Sequence, residues 1–291
     1  MIFKPKNCSF NAMNYLKLLS LSFILLFFKE SFAGNENFPL GSRNAALGGA
    51  SVCLSDVWSV GNNQAGLGFL KSPEAAIYFD NKFLLKDLST GAGAFAMPIK
   101  KLGTLGLSFA RTGNKYYGES KVGFAFARAF GENISVGMQI NYQSVRIGEG
   151  YNVRKGLFTG EIGIQAKVLK NLTLGFHMYN PMMVKMTSYN NERVPVIFQL
   201  GLLYKFSDKV FITTECQKDI AFSPFLKFGV EYSPAKVIFI RLGVATNPFQ
   251  NGLGIGLKFG GMRIDVSSTI HPQLGISPQM GLSYVLGKEG K

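Results

Sequence analysis

Beyond residue 33 the chain has no run of about 18 apolar residues, the length a helix needs to cross a bilayer. Ordinary transmembrane helices are thereby excluded. Histidine is almost absent: His177 and His271 are the only two in the sequence, too few for a multi-histidine metal site. Neither is paired in the sequence with a serine and an acidic residue in a pattern that signals acyl hydrolysis. No catalytic residue, metal site or cofactor is assigned, and the chain does not read as an enzyme. Two cysteines, Cys53 and Cys216, lie beyond residue 33, far apart and in different contexts. They read as two unrelated small apolar residues, with a disulfide between them left open. Gly252, Gly254 and Gly256 are not a phosphate-binding loop, which needs a helix to follow. They alternate with Leu253, Ile255 and Leu257 inside a strand pattern, and read as small inward residues beside a filling segment.

What is present begins with a secretory leader over residues 1–33. Lys4, Lys6 and Lys17 make a basic start, Leu18 to Phe28 is an apolar stretch, and Ser31-Phe32-Ala33 supplies the small-x-small cleavage pattern. Met13 to Ala33 already makes a complete leader, so either methionine serves as a start. Of the 31 basic and 17 acidic residues, four and one lie in the leader, leaving a net charge of +11. The basic residues are scattered rather than clustered, which argues against nucleic acid. The excess fits contact with outer-membrane lipid and lipopolysaccharide, or with acidic partners.

From Glu74 to Leu286 the sequence repeats a strand and a turn about every fifteen residues. Ile134, Val136, Met138, Ile140 and Tyr142 form one face of such a strand, and Asn133, Ser135, Gly137, Gln139, Asn141 and Gln143 the other. Fourteen strands are predicted, near 74–83, 89–99, 103–112, 120–130, 133–147, 157–168, 171–180, 195–206, 209–218, 223–233, 236–246, 252–259, 262–270 and 278–287. Apolar faces on nearly every strand, without a long apolar run, predict a transmembrane antiparallel β-barrel over 73–291 with lipid outside and polar groups inside. Such a barrel in an exported chain belongs in the outer membrane. Tight turns at 100–102, 131–132, 169–170, 207–208, 234–235 and 260–261 alternate with longer connections near 113–119, 148–156, 181–194, 219–222, 247–251 and 271–277. That alternation predicts both termini on the periplasmic side.

The same parity assigns the wall. Val122, Phe124, Phe126, Ile162, Ile164, Leu172, Leu174, Phe176 and Met178 face lipid. Lys121, Glu161, Gln165, Lys167, His177, Glu215, Lys227, Glu231, Arg241, Lys258, Arg263 and Asp265 face the lumen. Mixed charge on neighbouring strands predicts an ion-paired interior rather than a bare pore of one sign. Tyr142, Tyr179, Tyr204, Tyr232 and Tyr284 sit near strand ends, where aromatic girdles meet the membrane interface.

Residues 34–72 differ from the rest: rich in Gly, Ala and Asn, with the only tryptophan, Trp58. Their apolar content, with Leu47, Leu54 and Leu67, argues against a free tail. They are expected to enter the lumen as a hatch, with Gly48 and Gly49 permitting a close backbone fold and Arg43 and Asp56 pairing with charges on the wall. The segment Gly41-Ser42-Arg43-Asn44-Ala45-Ala46-Leu47-Gly48-Gly49-Ala50-Ser51-Val52, followed by Asp56 and Asn63-Gln64-Ala65-Gly66-Leu67, resembles the N-terminal region of the PorV/PorQ family. These are outer-membrane barrels of Bacteroidetes related in fold to the FadL long-chain fatty-acid transporters. Gln64 stands where the family has proline. The resemblance implies a hatch motif of Arg43, Gly48, Gly49, Asp56, Asn63 and Gly66. It also implies a non-enzymatic part in type IX protein secretion, with secretion-system proteins or cargo as partners. A FadL-like passage of hydrophobic small molecules is the alternative. The longest outer connection, with Met182, Met183 and Met186, is short for a cargo-binding loop.

Overall fold

The computed structural model describes residues 39–148, 153–185 and 194–287. The expected leader and Met186 lie outside them. Fourteen strands follow a short helical segment: β1 Glu74–Asn81, β2 Ser89–Ile99, β3 Gly103–Gly113, β4 Tyr117–Phe130, β5 Ile134–Ile147, β6 Val153–Leu169, β7 Leu172–Tyr179, β8 Ile197–Ser207, β9 Val210–Asp219, β10 Phe225–Ala235, β11 Ile238–Thr246, β12 Phe249–Phe259, β13 Met262–His271 and β14 Gly275–Val285. Each pairs antiparallel with its neighbour in sequence. β1 closes on β14 in continuous register from Glu74↔Val285 to Asp80↔Gln279. Closure leaves no edge strand and satisfies the backbone polar groups within the wall, the condition for crossing a bilayer with strands. No helix among the described residues is long and apolar enough to cross a membrane.

The alternating pattern sorts the side chains as parity requires. Ile140 is 62% exposed on the outside of β5, while its neighbours Gln139 and Asn141 are 2% and 0% exposed inside. Ile77, Phe124, Phe158, Leu200, Ile255 and Met280 are likewise exposed outside, and in a soluble protein such an apolar surface would aggregate. In the outer membrane it is the lipid-facing belt.

One rim carries the tight connections between β2 and β3, β4 and β5, β6 and β7, β8 and β9, β10 and β11, and β12 and β13. Residues 82–88 and 180–196 are the longest connections of the opposite rim, which is therefore the outer one. Four expectations are corrected there, and the connections near 148–156 and 271–277 end early because β6 starts at Val153 and β14 at Gly275. The connection near 247–251 is only Asn247-Pro248, because β12 starts at Phe249. β4 likewise starts at Tyr117, so the connection before it shrinks to 114–116. Loop-type residues at these positions are drawn into the ladder by pairing across the sheet, as Tyr117↔Ile147 and Thr246↔Phe249 show. Tyr179 is corrected too: it is 3% exposed and faces the lumen, whereas Tyr142, Tyr232 and Tyr284 are 40–50% exposed outside.

Candidate functional site: the hatch and its seat in the lumen

Residues 39–72 fold inside the barrel as two short helices, α1 Ser42–Ala46 and α2 Ser59–Asn62, and a 3-10 turn Gln64–Phe69. Ala46, Leu47, Val60, Ala65 and Leu67 are wholly buried. Gly48 and Gly49 take φ of +66° and +78°, and a side chain at Gly48 would strike the Val244 backbone at 2.6 Å. Only glycine turns the chain this sharply this close to the wall. Gly66 is equally confined, between Ser59 Oγ and the Leu54 carbonyl.

The wall meets the hatch with its own glycines. A Cβ added at Gly243 would lie 2.0 Å from the Gly48 nitrogen, and one at Gly229 2.7 Å from the Leu47 oxygen. Gly252 and Gly254 are blocked by Ala45 and Ala46, whereas Gly256, expected beside the filling segment, instead makes room for the Asp265 and Arg241 side chains of the wall. These positions are adjacent in register, Gly229↔Gly243 and Gly243↔Gly252, and Gly137↔Gly163 and Gly175↔Gly201 extend the pattern on β5 to β8. The lumen thus carries a belt of glycines on which the hatch backbone rests.

Around that belt the lumen-facing charges form three groups. In the first, Arg43 donates from Nε to Glu231 Oε2 (2.9 Å), from Nη2 to Glu231 Oε1 (3.1 Å) and from Nη1 to Asp56 Oδ2 (3.0 Å). Arg241 donates to Glu231 at 2.6 Å and to Asp265 at 2.7 Å, and Arg263 reaches Asp265 at 3.3 Å. Burial opposes the Arg43 charge, but Glu231 and Asp56 outweigh it and hold its pKa above the ordinary value. Asp56 therefore pairs within the hatch rather than with the wall, because the Trp58 amide and Arg43 both bind it.

In the second group Glu215 accepts from the Ser51 and Val52 amides at 2.9 and 3.0 Å and from Lys227 at 2.7 Å. Lys227 also donates to the Gly49 carbonyl at 3.3 Å. In the third, Glu161 accepts from Lys121 and Gln64 at 2.7 Å each and from Asn141 at 2.8 Å, with His177 Nε2 at 3.0 Å. Gln64, which stands where the PorV/PorQ-like pattern has proline, thus gives the hatch one of its bonds to the wall, and a proline there could donate nothing. Asn63 donates to the Val52 carbonyl at 2.7 Å and caps the 3-10 turn by accepting from Ala65. Gln165 completes this side by donating to the Val52 and Leu54 carbonyls, both at 2.9 Å.

Two expected lumen charges lie nearer the periplasmic rim. Lys167 is exposed, 3.9 Å above the Phe69 ring. Lys258 is half-buried and registers opposite Arg263. Gln64 and Gln199 are bonding groups that the sequence does not single out, Gln199 joining His177 Nδ1 at 2.7 Å to Glu215 Oε1 at 2.8 Å. Nor does the sequence single out the glycine belt, whose signal was one small inward residue at matching positions of neighbouring strands. Cys53 and Cys216 are both free. Burial first, then the Glu215 carboxylate, pushes the Cys53 thiol far up, so it is inert.

The hatch has a second, apolar side. Val57, Trp58, Val60 and Leu67 pack on Ala76 and Tyr78 of β1, Ala92, Ala94 and Ala96 of β2, and Ala125 and Ala127 of β4. Trp58 meets Tyr78 edge-on at 5.8 Å. One half of the plug is therefore clamped by charge and the other mainly by apolar contact, its bond to the wall there running from the Val57 amide to Glu74 Oε2 at 3.2 Å. Behind the apolar half, Ser89 to Ala94 of β2 reads Ser-Thr-Gly-Ala-Gly-Ala, with no side chain larger than threonine on either face. On the outside an open trough of about 550 Å³ runs over Gly91 and Gly93 between Ile77 and Phe109.

No protein-family model matches the sequence, and no curated protein matches it. Solved structures do. The fold is similar to the TodX deltaS2S3 mutant monoaromatic hydrocarbon channel, with TM-score 0.70 and 10% identity over 85% of this chain and 99% of that one. It is similar to the Ralstonia pickettii toluene transporter TbuX, with TM-score 0.65 and 11% identity over 87% and 100%. It is also similar to a Pseudomonas aeruginosa FadL homologue, with TM-score 0.56 and 12% identity over 88% and 98%. The first two are a channel and a transporter rather than enzymes, and the fold of this chain is that of a FadL-like outer-membrane barrel.

Proposed function

We propose that this protein passes hydrophobic small molecules across the outer membrane, with the hatch as its gate. The observation that carries the reading is the two-sided seat of the plug. Charge anchors it to Glu161 of β6, Glu215 of β9, and Lys227 and Glu231 of β10, while its apolar side faces an alanine-lined wall whose Ser89 to Ala94 segment of β2 is made of small residues. An apolar solute moving along Val57, Trp58 and Leu67 breaks no ion pair, and it meets the small-residue segment of the wall next. The FadL-like hydrocarbon channels among the structural neighbours support this reading over the secretion role implied by the PorV/PorQ-like motif.

Uptake of radiolabelled toluene by cells expressing the full chain tests it. Expression should raise uptake over an empty vector, and Gly93→Phe, which places a ring in the outer trough, should lower it several-fold while the barrel still shifts on unheated gels. Uptake no greater than with the vector would refute the transport reading.

A further inference from the structure

The lipid-facing wall has a second feature beside the trough, which it adjoins at Arg111. Near the outer rim, just above the apolar belt, Arg111 of β3, Gly118 and Ser120 of β4, and Ser144 and Arg146 of β5 enclose a notch of about 160 Å³. These residues are neighbours across the sheet, Arg111↔Ser120, Ser120↔Ser144 and Gly118↔Arg146, and by parity they lie on the outer face with Phe109, Val122 and Tyr142. Gly118 leaves room for Arg146, whose Nη2 would lie 4.0 Å from a Cβ there. The same Nη2 donates to the Asn114 and Lys115 carbonyls at 3.1 and 3.4 Å, which fixes the guanidinium across the notch. Among the described residues no carboxylate forms an ion pair with Arg111 or Arg146. The lumen arginines, by contrast, are all paired.

We infer that this notch binds the phosphate of an outer-leaflet lipid, the phosphorylated glycolipid of lipopolysaccharide. Two guanidinium forks converging with two hydroxyls suit a phosphate better than any other anion of the membrane surface. The notch lies on the lipid-facing side of the wall, and next to it Val122, Phe124 and Ile140 offer an apolar path for acyl chains. A soluble anion would need neither that orientation nor that path.

The test uses the full purified protein, delipidated in detergent, with bisphosphorylated lipid A as probe and native mass spectrometry as readout. Saturable binding is expected, weakened about tenfold or more by Arg111→Gln/Arg146→Gln. Arg128→Gln at the opposite rim should leave it unchanged, and dephosphorylated lipid A should bind the native protein as weakly as the double variant binds the probe. Should the double variant not fold, Ser120→Asp, which puts a carboxylate among intact arginines, should give the same loss. Equal binding by native and folded variant proteins would mean that the arginines only reach for water, and would overturn the inference. Displacement of lipid A by millimolar inorganic phosphate alone would overturn it in favour of a soluble anion site.

Discussion

Replacing Glu231 by glutamine is the sharpest perturbation of the seat. Glu231 is 6% exposed and accepts two hydrogen bonds from Arg43 of the hatch and one from Arg241 of the wall, with Arg263 at 3.6 Å. Glutamine keeps the volume and part of the bonding but removes the charge. Three guanidiniums then face only Asp56 and Asp265, and neither can take over the Arg43 fork, since Asp265 is held by Arg241 and Arg263. Breaking a buried pair while leaving one charge behind costs about 3–5 kcal/mol. The retained bonds to Asp56 and Asp265 place this case near the lower figure, about 3 kcal/mol. Urea unfolding of the barrel reconstituted in vesicles, followed by the shift on unheated gels, measures it. A cycle with Arg43→Met locates the loss: the two changes should be non-additive by at least about 1.5 kcal/mol, because both remove the same charge-assisted bonds. A Glu231→Gln protein within about 0.5 kcal/mol of the native one, or strictly additive changes, would refute the claim that this carboxylate clamps the hatch.

Two further predictions concern the wall. Gly243→Ala should cost about 3 kcal/mol or more, since its Cβ meets hatch backbone that cannot swing aside, whereas Gly91→Ala, with nothing within 4 Å, should be neutral in the same unfolding assay. Ile140→Arg, on the lipid side of β5, should cost roughly 2–4 kcal/mol of folding stability in vesicles, and tolerance of that change would mean that the faces are assigned the wrong way round.

The barrel was legible because the bilayer imposes period-two alternation on every strand, and that signal survives without any long hydrophobic run. Ile134 to Gln143 alone show both faces. Strand ends at the outer rim were less legible, since Tyr117 and Phe249 join the ladder through partners on other strands rather than through local preference. Inside, the charged residues could be assigned by parity but not paired. Asn141 illustrates the gap: from sequence it faces a wet lumen, whereas it is fully buried and donates to Glu161, so an arginine there would be nearly as harmful as one at Ile140. The cause is the hatch, which turns a polar channel into a packed core. Its helices are too short to show periodicity, and its contacts are long-range. Its presence was legible from the apolar, glycine-rich composition of residues 34–72, but its seat is marked only by glycines that match strand against strand rather than along the chain.

The most direct measurement asks whether the hatch must move for anything to pass. A Cβ added at Gly281 of β14 would lie 3.4 Å from the Ser42 Cβ, close to the separation in a disulfide. Ser42→Cys/Gly281→Cys, in a chain whose Cys53 and Cys216 are replaced by alanine, therefore ties α1 to the wall without moving either. With the bond formed, toluene uptake should fall to the level of cells without the protein, and a reducing agent should restore it. Undiminished uptake through the locked protein would contradict a hatch-gated passage.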